Sequence, residues 1–188
     1  MQNTLGIADA GAIELDANPH IVQFFARDSE LIHSMSNFVA PALAADEVAI
    51  VIATEAHRLA LDEVLQKLGF DLEAARLSHR YIALDAAETL GAFMDGSTPE
   101  PQRFVETLGR LFSETSIGGQ RVRVFGEMVA LLWAQGNLDG ALRLEGLWNH
   151  LAASYPFTLF CAYPQLESRQ AAFDMIRQRH SKVVPAGS

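Results

Sequence analysis

A glutamate interrupts the apolar run Phe125-Gly126-Glu127-Met128-Val129-Ala130-Leu131-Leu132-Trp133, just where a strand should end. An isolated buried carboxylate is costly, so Glu127 must be solvent-linked, protonated or paired. Arg121, Arg123 and Arg143 are its candidate ion-pair partners, and contact with a ligand is the alternative, because perturbed carboxylates gather at functional sites. The segment Thr54-Glu55-Ala56-His57-Arg58 sets an acid, an imidazole and a guanidinium at a helix start. There they either bind a polar ligand group or form a cap and a solvated first turn. In Leu144-Glu145-Gly146-Leu147-Trp148-Asn149 the spacing places Glu145 and Asn149 one turn apart, beside the apolar stripe that carries Trp148. Two polar groups at the rim of an aromatic face can orient a small ligand, although Trp148 by its type belongs in a core. The candidate ligand-binding residues are therefore Glu55, His57, Arg58, Glu127, Glu145, Trp148 and Asn149.

Other chemistries fail on residue type or spacing. Glu55-x-His57 has no second pair at metal-ligand spacing, and His20, His33, His79, His150 and His180 are scattered, reading as surface or satisfied core residues. No metal site and no cofactor is expected. Cys161 is the single cysteine, which excludes an intramolecular disulfide and a thiolate-rich zinc cage; within a buried strand it reads as an inert thiol. Gly-x-Ser-x-Gly, His-Glu-x-x-His and Cys-x-x-Cys are all missing. A phosphate-cradling loop after Phe25 would need glycines and a lysine, yet no glycine lies between Ala12 and Leu68 and the first lysine is Lys67. Asp28 at that exit reads as a helix N-cap.

The elements that must position these residues follow from periodicity. Short apolar runs at His20–Phe25, Val48–Ala53, Tyr81–Leu84, Val122–Phe125 and Phe157–Ala162 read as strands covered on both faces. They alternate with helical segments: Leu31–Leu43, a helix carrying Leu61, Val64, Leu65 and Leu68 and closed by Gly69, one carrying Phe104 to Phe112, Leu142–Leu151, and a last one at about Glu167–His180. The stretch Gly96 to Pro101 reads as a surface loop in which a hydroxyl of Ser97 or Thr98 caps the next helix. Such alternation predicts an α/β fold of three layers, a mostly parallel sheet flanked by helices.

With 188 residues, 49% of them hydrophobic, the chain is sized for one domain at 19–182, after a leader at 1–18 with a short strand at Ala12–Leu15 and before a tail at 183–188. The net charge is −9, and only two of the 14 cations are lysines. Such a surface repels nucleic acid and anionic membranes. No apolar run is long enough to span a bilayer and the first 18 residues hold no basic residue, so a cytoplasmic chain is expected.

Several of these segments together resemble one family. His20…Gln23-Phe24-Phe25, Ala45-Asp46-Glu47, Ala53-Thr54-Glu55-Ala56-His57-Arg58, Ala83-Leu84-Asp85-Ala86, Gly126-Glu127-Met128-Val129, Leu144-Glu145-Gly146-Leu147-Trp148-Asn149 and Phe160-Cys161-Ala162-Tyr163-Pro164 are similar to the MEDS domain, the methanogen/methylotroph DcmR-type sensory domain. The resemblance implies a RecA/KaiC-like fold without an intact P-loop. It also implies a noncatalytic signal-input role, in which a small organic ligand or a signalling partner is perceived and the response passes to a histidine kinase or transcription regulator. The 19 residues before His20 cannot hold a helix-turn-helix module, so the chain is expected to be a lone sensor or an excised domain, and it can assemble as a homo-oligomer. The alternatives are a degenerate nucleotide-binding ATPase with Arg27 or Arg58 replacing the lysine, and a protein-interaction scaffold.

Overall fold

The computed structural model describes residues 19–115, 119–165 and 176–184. The leader with its short strand, most of the expected last helix and the final four residues lie outside them. In chain order the described strands are β1 (His20–Phe25), β2 (Val48–Ala53), β3 (Tyr81–Asp85), β4 (Met94–Asp95), β5 (Thr98–Pro99), β6 (Val122–Gly126), β7 (Phe157–Pro164) and β8 (Lys182–Val184). Six of them form one sheet in the order β3-β2-β6-β7-β1-β8, with every pairing parallel. Parallel neighbours need crossovers. These are supplied by α1 (Asp28–Ala44), α2 (Glu55–Lys67), α3 (Leu72–Leu77), α4 (Ala86–Phe93), α5 (Pro101–Phe104), α6 (Arg110–Thr115), α7 (Met128–Ala134) and α8 (Leu138–Ala152), with a π-helical turn at Val105–Gly109 joining α5 to α6.

The two-residue period of the strands divides the core. Val22, Phe24, Ile50, Ile52, Val124, Leu159 and Cys161 face the layer of α4, α7 and α8. Ile21, Phe25, Ala49, Val51, Phe125 and Phe160 face α1, α2 and α3. Every residue of β1 and β2 is buried, as a sheet covered on both faces requires. The three-layer α/β architecture expected from the sequence is the one observed.

The five expected strands are all present; three run one or two residues further, to Asp85, Gly126 and Pro164. Helix α1 starts earlier than its apolar periodicity suggests, because its first turn Asp28-Ser29-Glu30 is polar; α8 also starts earlier, at Leu138, where the side chain of Asn137 caps it by accepting from Gly140 N at 2.9 Å. Gly69, with φ of 91°, closes α2 as expected: its N–H reaches Gln66 O at 2.9 Å and Phe70 N–H reaches Leu65 O at 3.1 Å, a Schellman pair.

Two cap assignments are corrected. Asp28 is the first helical residue of α1, not its cap; Arg27 occupies that position with no side-chain bond to the helix amides, and Glu30 folds back instead. Its carboxylate accepts from Ala26 N at 3.1 Å and from Arg27 at 2.9 and 2.7 Å. The stretch read as a loop with a hydroxyl cap holds the turn and the second strand of the antiparallel β4–β5 hairpin. The cap of α5 is Glu100, which accepts from Gln102 N at 3.1 Å and Arg103 N at 2.7 Å, ahead of Pro101.

Candidate functional site

Strands β2 and β6 are neighbours in register, so the chain leaves the sheet at Thr54 and at Glu127 side by side. This is the carboxyl edge, where open parallel sheets hold ligands. The side chain of Glu127 is only 5% exposed; its Oε2 accepts from Thr54 N at 2.9 Å and its Oε1 meets His57 Nδ1 at 2.7 Å. The partner of Glu127 is thus a histidine, not one of the three arginines. Arg123 is committed to Glu47 at 2.7 Å and Arg143 to Pro99 O at 2.9 Å.

On the other side of the ring, His57 Nε2 lies 3.7 Å from Asp28 Oδ1, and the Asp28 side chain is 80% exposed. The imidazole therefore stands between a buried and an exposed carboxylate. Its bond to Glu127 raises its pKa against the opposing effect of burial, and the charges of Glu127 and Asp28 add to the rise. A ligand approaching this edge meets an imidazole whose outer nitrogen can donate, beside an acceptor at Asp28.

Two other predicted residues of this edge play different parts. Arg58 turns away to Ala53 O at 3.1 Å and Asp85 Oδ2 at 2.9 Å, latching the β2 exit to the β3 exit. Asp85 also caps α4; amide bonds from Glu88 and Ala87, together with Arg58, hold its carboxyl below the usual range. Glu55 is the exposed first residue of α2.

Glu145 and Asn149 are not at this edge. They project from α8 onto β1 and β7, where alternation aims His20, Cys161 and Tyr163 at the same helix. His20 Nε2 sits 3.0 Å from Glu145 Oε2, while His20 Nδ1 bonds Asn149 Oδ1 at 2.8 Å. Tyr163 donates its hydroxyl proton to Glu145 Oε1, and Cys161 Sγ lies 3.8 Å from Oε2. The returning segment at 176–184 brings His180, whose Nε2 is 3.3 Å from Glu145 Oε1 and whose ring centroid is 4.0 Å from that of His20. Burial alone would raise the Glu145 pKa, but the facing imidazoles of His180 and His20 outweigh it and hold the carboxyl low. Burial, with the Glu145 charge, pushes the Cys161 thiol well up.

Trp148 is core, not the wall of a site. It is 1% exposed and meets Phe104 and Phe157 edge to face, at centroid distances of 5.3 and 5.9 Å. The seven predicted residues thus divide between a carboxyl-edge pair (His57, Glu127), a structural latch (Arg58), an exposed helix start (Glu55), the α8 cluster (Glu145, Asn149) and the core (Trp148). Sequence reasoning missed His20, His180 and Tyr163 as members of the α8 cluster. Histidines described as scattered along the chain become ring neighbours through β1 and the segment before β8. The position of Glu145 beside the stripe of Leu144, Leu147, Trp148 and Leu151 was the available signal, since a charge buried there demands partners.

The profile of the family "MEthanogen/methylotroph, DcmR Sensory domain" matches residues 19–181. No curated protein matches the chain. Among solved structures, the flagellar accessory protein FlaH from Methanocaldococcus jannaschii is similar in fold, with a TM-score of 0.54 and 10% identity over 89% of this chain and 72% of that one. The parallel three-layer sheet agrees with that likeness, and the family match covers both polar clusters. The chain belongs to the MEDS family of sensory domains.

Proposed function

We propose that the chain is a noncatalytic, cytoplasmic signal-input domain that binds a small polar organic ligand at the carboxyl edge of the sheet and relays occupancy to a histidine kinase or transcription regulator. The observation that carries this reading is the Glu127–His57–Asp28 arrangement: a buried carboxylate fixes an imidazole whose outer nitrogen faces an exposed acid. Glu127 also bonds the backbone N–H of Thr54, so a change at His57 is transmitted to the junction of β2 and α2. The degenerate ATPase reading is disfavoured at the β1–α1 loop. There the amide of Ala26 is already taken by Glu30, and Arg27, a proposed lysine substitute, is held by the same carboxylate.

The test is a thermal-shift screen of small alcohols, amines and carboxylic acids, repeated on Glu127→Gln. A stabilising compound should lose at least tenfold in affinity in the variant. A compound that binds both proteins equally would remove the carboxyl edge from consideration.

A further inference from the structure

The α8 cluster supports a second site, independent of the carboxyl-edge reading. One donor atom from each of His20, Glu145, Cys161 and His180 lies within 4.8 Å of all the others. All four side chains are buried: Glu145 and His180 are 0% exposed at the side chain, His20 10%, and Cys161 is 0% exposed. Divalent zinc bound tetrahedrally by nitrogen, sulfur and oxygen has metal–ligand distances of roughly 2.0–2.3 Å, which places its ligands about 3.3–3.7 Å apart. The pairs His20–Glu145 at 3.0 Å, His20–Cys161 at 3.4 Å and His180–Glu145 at 3.3 Å are already on that scale.

The outer hydrogen bonds orient both rings for such a role. His180 Nδ1 donates to Ile176 O at 2.7 Å, so in the neutral ring Nε2 carries a lone pair. That Nε2 is fully buried and has no hydrogen-bond partner, although Glu145 Oε1 is only 3.3 Å away. Asn149 Nδ2 donates to Arg179 O at 3.4 Å, which leaves Asn149 Oδ1 as the acceptor for His20 Nδ1–H. The His20 Nε2 lone pair therefore also faces the Glu145 carboxylate. Two lone pairs aimed at one anion repel unless a positive species stands among them. A proton on one ring satisfies one nitrogen; a metal ion satisfies both.

We propose that His20 Nε2, His180 Nε2, the Glu145 carboxylate and the Cys161 thiolate form a closed site for one thiophilic first-row divalent cation, zinc in the first instance. The charges balance, because the two positive charges of the ion meet one carboxylate and one thiolate, with both imidazoles neutral. Such a neutral centre suits a buried site. Binding releases the Cys161 proton to solvent and forms a metal–sulfur bond; no electron transfer is involved. Asn149, Ile176 O and the Tyr163 hydroxyl act as the outer partners that fix ligand orientation. With four protein ligands and no open position, the ion joins β1, β7, α8 and the segment before β8 rather than activating water.

The experiment uses cobalt as a spectroscopic probe. The chain is unfolded in chelator, refolded with one equivalent of Co²⁺, and its absorption recorded before and after adding Zn²⁺. A near-ultraviolet thiolate-to-cobalt band that saturates at one ion per chain and is displaced by zinc is expected. Because Cys161 is the only cysteine, such a band within one chain reports this site without recourse to a variant. Cys161→Ala should abolish the band, and His180→Ala should weaken cobalt binding at least tenfold. Glu127→Gln should change neither, which separates this site from the carboxyl edge. Cobalt bound without the band, or no cobalt bound to chain that has regained its far-ultraviolet circular dichroism, overturns the proposal. The cluster would then be an imidazolium–carboxylate pair only.

Discussion

Replacing Glu127 by glutamine tests the pairing on which the carboxyl edge rests. Glutamine keeps one oxygen for Thr54 N–H, 2.9 Å away in the native protein, but turns an N–H₂ toward His57 Nδ1, so the ring must present a lone pair there. A charge-assisted bond of about 1.5–3 kcal/mol is replaced by a neutral one of about 0.5–1.5 kcal/mol. The His57 side chain is 14% exposed and opens toward solvent at Asp28, so screening favours the low end of the difference, about 1 kcal/mol. For a chain of this size that is a fall of roughly 2–4 °C in melting temperature.

The pH dependence makes this prediction specific. The His57 pKa is raised in the native state, by the Glu127 bond above all, so the pair contributes fully below the unfolded value of about 6.5 and is lost as pH rises through the folded value. Differential scanning fluorimetry of both proteins should therefore show the largest gap near pH 6 and a much smaller one near pH 9. A gap that stays constant over this range, or widens with pH, would refute the ion pair and leave Glu127 as an amide acceptor alone.

Three further outcomes follow from the geometry. Trp148→Ala should cost about 3–5 kcal/mol in urea unfolding, because a fully buried indole between Phe104 and Phe157 leaves a cavity, and binding at the carboxyl edge should be unaffected. Gly69→Ala should cost about 1 kcal/mol by the same assay; nothing lies within 4 Å of the added methyl, so the loss comes from the φ of 91° alone. Isothermal titration with ATP and Mg²⁺ should give no binding heat in the micromolar range, and micromolar affinity would restore the nucleotide reading despite Glu30.

Five strands were legible because each is a short apolar run, and the Schellman end of α2 because Gly69 follows its last apolar turn; β4, β5 and β8, of two or three residues each, are too short to carry a pattern. Caps were less so: Glu30 folds back onto the amide of Ala26 and Glu100 reaches forward to those of Gln102 and Arg103, which depends on loop geometry that residue type does not reveal. The pairing of Glu127 with His57 joins residues 70 positions apart. Its basis is the adjacency of β2 and β6, a fact of strand order rather than of local pattern. Glu145 and Asn149 were correctly placed on one helix face, but the sheet register that sets His20 against Leu159, and so near Cys161, is not written in either segment. Expecting seven residues to share a site joined two sides of the molecule that the fold keeps apart.

The strand order has a consequence for how the chain reaches this state. Among the described strands β1 pairs only with β7 and β8, so its sequence HIVQFF meets no partner among them until residues beyond 156 have been synthesised. During translation an uncharged, β-prone hexapeptide waits while the central part of the sheet emerges behind it. Contacts so distant in sequence slow folding in general, and they leave the edge of a nascent strand such as β1 open to wrong pairing for longer.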